Sequence, residues 1–416
     1  MKTNSDNRRS AWISPPAKPL LSSPDGILYD ACQGLRVLVP QDHGEVHVKA
    51  FDDEVGMCVF DGIVEPGNYV ITTLKYCVNW RIELYDPGAD KPYFSDIVTP
   101  SSLHRRGYSC LALFPSGAIG DCVAHMAGCR AFHRQTGVEL IAVTSDATAA
   151  LFDEPGVRCI TKSEAESMID NGLLKPGMEI RIGLWSSEWP DYSPVDYHQV
   201  PLHHNSAYQL GVRPEETPPR VRRIPCGLPD GEYVAISMNG SSPTKMWWRP
   251  GGWQEVVDWI SGQGLKAVVI DREPSFDNGR GWTQQLPDGV VDFTGDRPLA
   301  ERAYVISHAR AFLGLPSGLT WLAWCVLTPE RIAMISGFTA PWSEMPGIHR
   351  AVNMHAPCWN CWSSQDYDLG DSANIPAYCP RYYPRRQAEM FVCTKLIRPE
   401  LVIKELRLAL EGERPF

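Results

Sequence analysis

The chain has 416 residues, 44% hydrophobic and 21% charged, a globular composition with room for two or three cores. Its net charge is −10, with 39 basic residues against 49 acidic ones, so no nucleic-acid partner is expected. No apolar run reaches the ~20 residues a membrane helix needs. Residues 1–26, polar and proline-rich, lack the apolar core of a signal peptide. The expectation is a cytoplasmic protein without stable membrane insertion.

Gly34 to Pro87 reads as short alternating strands, GLRVLVP, EVHVKAF, MCVFDGI, YVITTL and CVNWRIELY, parted by turns at 42–44, 52–53 and 66–67. That spacing predicts an antiparallel sandwich or barrel, and residues 1–105 are read as this β-rich domain. A transition at 91–107 leads to alternating strands and helices over 106–213. CLALFP (110–115) is a buried strand, 121–135 a helix, and VELIAVTS (138–145) a strand. A helix near 147–152, VRCI, a helix at 164–171 and EIRIGLW complete the run. Such alternation implies a parallel, doubly wound sheet.

Residues 214–229 hold five prolines and read as a linker, which also contains the one basic cluster, Arg220, Arg222 and Arg223. A second alternating series fills 230–350. Its strands are EYVAISMN, KAVVID, a segment near 290–293, RAFLGL and RIAMIS, with helices at 252–263, 299–309 and 319–326. Residues 351–416 hold a cysteine-bearing segment and a closing helix at 400–411. The fold class is α/β: two open α/β domains with a cleft between them, a β-rich N-terminal domain and a C-terminal cysteine-bearing segment.

Three turns place chemistry at strand ends, where open α/β sheets bind ligands. In Phe114-Pro-Ser-Gly-Ala-Ile-Gly-Asp121 the glycines at 117 and 120 let the backbone approach a ligand. On that motif alone Asp121 is a helix cap; a carboxylate over a cleft equally suits removing a proton from a hydroxyl. Ser237-Met-Asn-Gly-Ser-Ser-Pro-Thr-Lys245 offers small polar residues, among them Asn239, Gly240 and Thr244, to phosphate oxygens. Lys245 supplies a positive charge against that growing on a departing diphosphate. In Gly314-Leu-Pro-Ser-Gly-Leu-Thr320 the N–H groups of Gly318, Leu319 and Thr320, beside Ser317, open a helix that favours an anion. His203 and His204 stand at the end of the first α/β domain, where core or surface roles are expected.

Thirteen cysteines, an odd number spread along the chain, argue against a full disulfide framework. Nine, Cys32 to Cys325, are expected as buried thiols. The last four, Cys358-x2-Cys361-x17-Cys379-x13-Cys393, suit a closed tetrahedral four-sulfur site, structural rather than catalytic, for zinc or iron.

The Gly-Asp of the first strand–helix turn, the Thr-Lys-x-Trp loop and the Ser-Gly turn resemble the ADP-heptose-dependent heptosyltransferases, enzymes of GT-B architecture, which makes the two α/β domains Rossmann-like and facing. The β-rich N-terminus, Gly-Leu-Pro-Ser-Gly-Leu-Thr-Trp-Leu-Ala-Trp324, Ile335-Ser-Gly-Phe338 and the four cysteines are similar to the bacterial autotransporter heptosyltransferases, from about Gly34 onwards. The resemblance implies an ADP-heptose donor and serine acceptors on an autotransporter passenger domain. Asp121 matches the family's general base, Lys245 its pyrophosphate lysine and residues 317–320 its phosphate turn, while Gly337 and Phe338 lie where the nucleotide is expected. It also implies structural iron (Fe3+) on Cys358, Cys361, Cys379 and Cys393, one ion per subunit, with zinc as the alternative. A large homo-oligomeric ring, such as a dodecamer, is implied as well.

The mechanism expected is a direct displacement with inversion. No catalytic divalent ion is called for, because the relevant loops lack a paired-carboxylate motif. Two alternatives stand beside this reading. One is a glycosyltransferase of the same fold acting on lipopolysaccharide core or using another nucleotide sugar. The other is a non-catalytic scaffold that binds autotransporters.

Overall fold

Buried strands alternating with helices build two sheets, one wholly parallel and one parallel through its centre, and the parallel strands of each reverse their order at one place. The computed structural model describes residues 13–114, 118–185, 189–277, 279, 281–364, 379, 381–382 and 385–415.

In the first sheet Val157–Thr161, Leu140–Thr144, Ser109–Leu113 and Pro176–Arg181 are parallel neighbours in that order. Leu140–Thr144 is buried along its whole length, as a strand covered on both faces must be. The order reverses between Ser109–Leu113 and Pro176–Arg181, so a crevice opens beyond their carboxyl ends. The helix Ile119–Thr136 follows the first of these strands and stops at Gly137, whose φ of 70° makes a left-handed cap. Its partner, the helix Leu202–Gln209, comes so near that a Cβ on Gly128 would stand 2.5 Å from the Ala207 nitrogen.

The second sheet runs Val291–Asp292, Lys266–Val269, Tyr233–Ile236, Ala311–Gly314, Ile332–Ile335, His349–Ala351, all parallel. In chain order this is 3-2-1-4-5-6, the dinucleotide-binding arrangement, and its reversal lies between Tyr233–Ile236 and Ala311–Gly314. His349–Ala351 lies beyond RIAMIS, the segment expected to be last. The closing helix Pro399–Glu411 buries Val402, Leu406 and Ala409, one stripe at helical spacing, in the core of this domain.

The N-terminal region is β-rich, with its strands in two sheets that share one core. Leu28–Cys32 pairs in parallel with Pro176–Arg181, and Arg36–Leu38 and Tyr69–Ile71 extend the same sheet antiparallel. A separate four-stranded antiparallel sheet holds Met57–Val64, Val46–Asp52, Trp80–Tyr85 and Phe94–Val98. The 91–107 transition supplies the last of these strands and a short helix, Pro100–Arg105, opened by a Thr99–Ser102 capping box.

The proline-rich linker is laid down rather than loose. Arg222 N–H donates to the Leu151 carbonyl (2.8 Å) in the first domain, and Ile224 N–H to the Ala300 carbonyl (3.0 Å) in the second. Five of the thirteen described tryptophans, Trp80, Trp247, Trp253, Trp321 and Trp324, are buried in the core, fewer than expected; most of the others are half-buried and Trp342 is exposed. Cys58 departs from the expectation of buried thiols, being exposed on the edge strand Met57–Val64.

Candidate active site

Each motif loop begins where its sheet reverses. Ser109–Leu113 leads to Asp121, Tyr233–Ile236 to Lys245, and Ala311–Gly314 to Ser317. Residues 115–117, including Gly117, lie outside the described residues.

Asp121 does not cap its helix. The cap position is Ala118, which makes no side-chain cap bond, and Asp121 sits half-buried in the first turn. One turn on, His125 is fully buried, and burial pulls its imidazole down to about 4 despite the pull of Asp121. The helix starts of the two domains meet here. A Cβ on Gly120 would stand 3.2 Å from Cδ1 of Trp321 and 3.5 Å from the Gly318 nitrogen. A Cβ at 120 would be tight, and at 318, where it would stand 2.8 Å from Cβ of Ile119, something must shift.

The Lys245 loop is organised from inside. The buried Asp271 accepts hydrogen bonds from the Ser237 hydroxyl (2.7 Å), the Met238 N–H (2.8 Å) and the Asn239 N–H (3.1 Å). Burial raises its carboxyl to about 6. The Asn239 side-chain amide donates to the Glu273 carbonyl (2.8 Å), the Gly240 N–H points at the Met246 sulfur (3.0 Å), and the Thr244 hydroxyl lies 2.7 Å from Ser242. Asn239, Gly240 and Thr244 thus shape the turn with groups the sequence offers to phosphate. Trp248 pins the turn through its indole N–H on the Pro243 carbonyl (2.8 Å), and Trp247 anchors on the Ile397 carbonyl (3.1 Å). Lys245 ends the turn Pro243–Lys245, with its ammonium 6.0 Å from the Phe338 ring.

Across the reversal point Ser317 precedes the helix Gly318–Val326, and its hydroxyl is buried with no hydrogen-bond partner. A buried hydroxyl left unpaired costs free energy, which an anion at this helix start would relieve. Thr320 is different: its hydroxyl is bound to the Leu315 carbonyl at 2.5 Å, so only its N–H, with those of Gly318 and Leu319, is left for a ligand.

Glu344 joins the two halves, and nothing in the sequence pattern marked it. It is 6% exposed and accepts from the Thr339 hydroxyl (3.0 Å). Burial pushes its carboxyl above the ordinary glutamate range, Arg350 and Lys245 oppose that rise, and Asp121 adds to it. Asp121 and Lys245, from opposite domains, therefore stand within electrostatic reach of one buried group. The neighbouring Ser343 carbonyl accepts from Leu202 N–H (2.9 Å), at the start of a first-domain helix.

Gly337 and Phe338 face the cysteine segment. Asn360 N–H donates to the Gly337 carbonyl (2.8 Å) and Trp362 N–H to the Phe338 carbonyl (3.1 Å). The four thiols share one neighbourhood: Cys361, raised to about 12 by burial, responds to Cys379 and Cys358, and Cys393 to all three others. Four soft sulfurs, buried or half-buried with Arg381 and Lys395 nearby, are the donor chemistry zinc or iron takes, while among the described residues the group with ligand atoms within 4.8 Å of one another is His203, His204 and Glu216. His203 and His204 are drawn into a different group. Each places Nε2 at 2.6 Å from a Glu216 carboxylate oxygen, which ties the linker to the helix Leu202–Gln209.

A family model for the N-terminal domain of the glycosyltransferase TibC matches residues 23–88. The chain is 32% identical over 398 residues to the autotransporter heptosyltransferase Aah of Escherichia coli, across 95% of this chain and 96% of that protein. The chain belongs to the autotransporter heptosyltransferase family. The solved structure of the iron-containing dodecameric glycosyltransferase TibC from enterotoxigenic E. coli superposes with a TM-score of 0.83 at 29% identity, covering 96% of this chain and 99% of that one. A second TibC structure is a complex with ADP-D-beta-D-heptose. The family also includes BimC of Burkholderia thailandensis, an inactive autotransporter heptosyltransferase, 30% identical across 97% of this chain and 90% of its own. The architecture is that of GT-B glycosyltransferases, two Rossmann-like domains around a cleft, and the motif loops line both sides of it.

Proposed function

We propose that the chain transfers heptose from ADP-heptose to serine hydroxyls of an autotransporter passenger domain. The observation that carries the reading is the meeting of the two helix starts, where a Cβ on Gly318 would stand 3.1 Å from the Gly120 nitrogen, which brings the Asp121 turn and the Ser317 turn of opposite domains to one place.

The donor's diphosphate lies between Lys245 and the start of the helix Gly318–Val326. The Ser317 hydroxyl and the N–H groups of 318–320 donate to it there. The adenosine sits against Gly337 and Phe338, and Asn239, Gly240 and Thr244 keep the facing turn in shape. Asp121 accepts the serine proton as the hydroxyl oxygen attacks the anomeric carbon from the face opposite the diphosphate. The bond to ADP breaks as the new one forms, so configuration inverts. Negative charge grows on the departing oxygen, and fixed donors aimed at it lower the barrier without reorganising. Cys358, Cys361, Cys379 and Cys393 would hold one iron ion, zinc being the alternative, which supplies a cross-link between distant segments. A ring-shaped homo-oligomer and action in the cytoplasm, before export of the passenger, complete the proposal.

The test is intact-mass analysis of a passenger fragment incubated with the protein and ADP-heptose, with ADP-glucose as control. Increments of one heptosyl residue, seen with ADP-heptose alone, are expected. No increment from folded, metal-loaded protein would leave a lipopolysaccharide acceptor or, as the inactive relative makes concrete, a scaffold role.

A further inference from the structure

Phe338 is gripped from two sides. The Lys245 ammonium lies 6.0 Å from its ring centroid, and the Trp362 ring packs edge-on at 5.9 Å and 67°. Trp362 also meets Tyr197 of the first domain, at 5.5 Å and 63°. Tyr197 is 2% exposed in the turn Tyr197–Gln199. One indole thus touches both domains, and it directly follows Cys361.

The backbone tightens the same joint. Asn360, between the cysteines of the CxxC pair, takes φ 59°, a left-handed conformation that asparagine tolerates better than most side chains. That conformation accompanies the alternate N–H groups of 360 and 362 reaching the successive carbonyls of Gly337 and Phe338. From the other side, a Cβ on Gly337 would stand 2.9 Å from the Cys393 backbone carbon. The Gly337–Phe338 loop therefore lies between two of the four cysteine-bearing segments, and a side chain at 337 has no room.

We propose that Trp362 is a positioning residue which couples the cysteine cluster to the nucleotide loop and to the first domain. Metal on the four thiols fixes the 358–363 knuckle; the knuckle fixes Phe338 through Trp362; and Phe338 sets the wall against which Lys245 and the adenosine are placed. The proposal rests on the reading that the Gly337–Phe338 loop receives the nucleotide.

The experiment measures ADP affinity by titration calorimetry on the full chain, for the wild type and Trp362→Ala, each metal-loaded and after metal removal by chelation under reducing conditions. Metal content and thermal melting are recorded for each sample. Loaded Trp362→Ala is expected to keep its metal and bind ADP about tenfold more weakly, the loss expected for two aromatic pairs. Trp362→Phe, which retains a ring between Tyr197 and Phe338, recovers most of that loss. Metal removal weakens ADP binding at least about tenfold in the wild type and less in Trp362→Ala, because the side-chain route of the coupling is already cut and only the backbone bonds to Gly337 and Phe338 remain. Should Trp362→Ala fail to fold or to hold metal, Trp362→Leu takes its place in the cycle. Equal losses on metal removal in both proteins, or wild-type affinity in the alanine variant, would overturn the coupling while leaving the nucleotide site standing. A wild type that binds no ADP at any metal content would instead overturn the nucleotide reading, and the coupling with it.

Discussion

Gly318 lies against the start of the opposite domain's helix, where a Cβ would stand 3.1 Å from the Gly120 nitrogen and 2.8 Å from Cβ of Ile119. The two helix N-termini that frame the cleft are held at a separation only glycine permits. Gly318→Ala is expected to push them apart, at an overpacking cost of about 1–3 kcal/mol. Transfer should fall about tenfold or more in kcat/KM, since a small misplacement between the domains spoils attack geometry. Steady-state kinetics with an ADP titration checks this; wild-type kcat/KM in a folded Gly318→Ala protein would contradict it.

Ser317→Ala separates ligand binding from folding. The hydroxyl has no internal partner, so its removal breaks no bond in the free protein and relieves a buried, unpaired group. Thermal stability should be unchanged or slightly higher, while ADP affinity falls about tenfold, the worth of a hydrogen bond to a charged oxygen. A drop in melting temperature with unchanged affinity would mean that the hydroxyl serves the fold alone.

His125 gives the protein a pH dependence of defined sign. It is buried, neither ring nitrogen has a partner, and its imidazole titrates at about 4 rather than 6.5. The unfolded chain takes up this proton as pH falls below 6.5 and the folded chain does not. The stability associated with the neutral ring is complete above pH 6.5 and is lost as pH falls towards 4, by roughly 3 kcal/mol in all. His125→Leu should therefore flatten the fall in stability between pH 7 and 5, as followed by urea unfolding. An unaltered slope would rule the residue out as its source.

Much of this was legible in the residues, for physical reasons. Parallel strands buried on both faces are unbroken apolar runs, so Leu140–Thr144, Ala311–Gly314 and Ile332–Ile335 stood out. The turns following such strands exposed Asp121, Lys245 and Ser317 as site candidates. Leu28–Cys32 did not stand out, because it carries Asp30, whose buried ion pair with Arg36 (2.6 Å) disguises a central strand as polar chain. The helix Leu202–Gln209 was hidden likewise. His203, Asn205 and Ser206 look like loop residues, yet all are buried: the Asn205 amide bonds to the Gly183 carbonyl and the Ser206 hydroxyl to the His125 carbonyl. Glu344 sits in a proline-flanked loop, where an acid reads as solvated. Only the fold reveals it as buried, hydrogen-bonded by Thr339 and within electrostatic reach of Arg350 and Lys245.

The most direct measurement compares Asp121→Asn with the wild type for both donor binding and transfer to a passenger fragment. The amide keeps the shape of the carboxylate and cannot take the serine proton. ADP-heptose binding should stay within about threefold of wild type, while transfer in the first turnover falls by ~10²–10⁴, the contribution of a positioned base. Lys245→Ala, in contrast, should lose affinity as well as rate. First-turnover transfer by Asp121→Asn at the wild-type rate would remove Asp121 as the base and contradict a reaction built across the two domains.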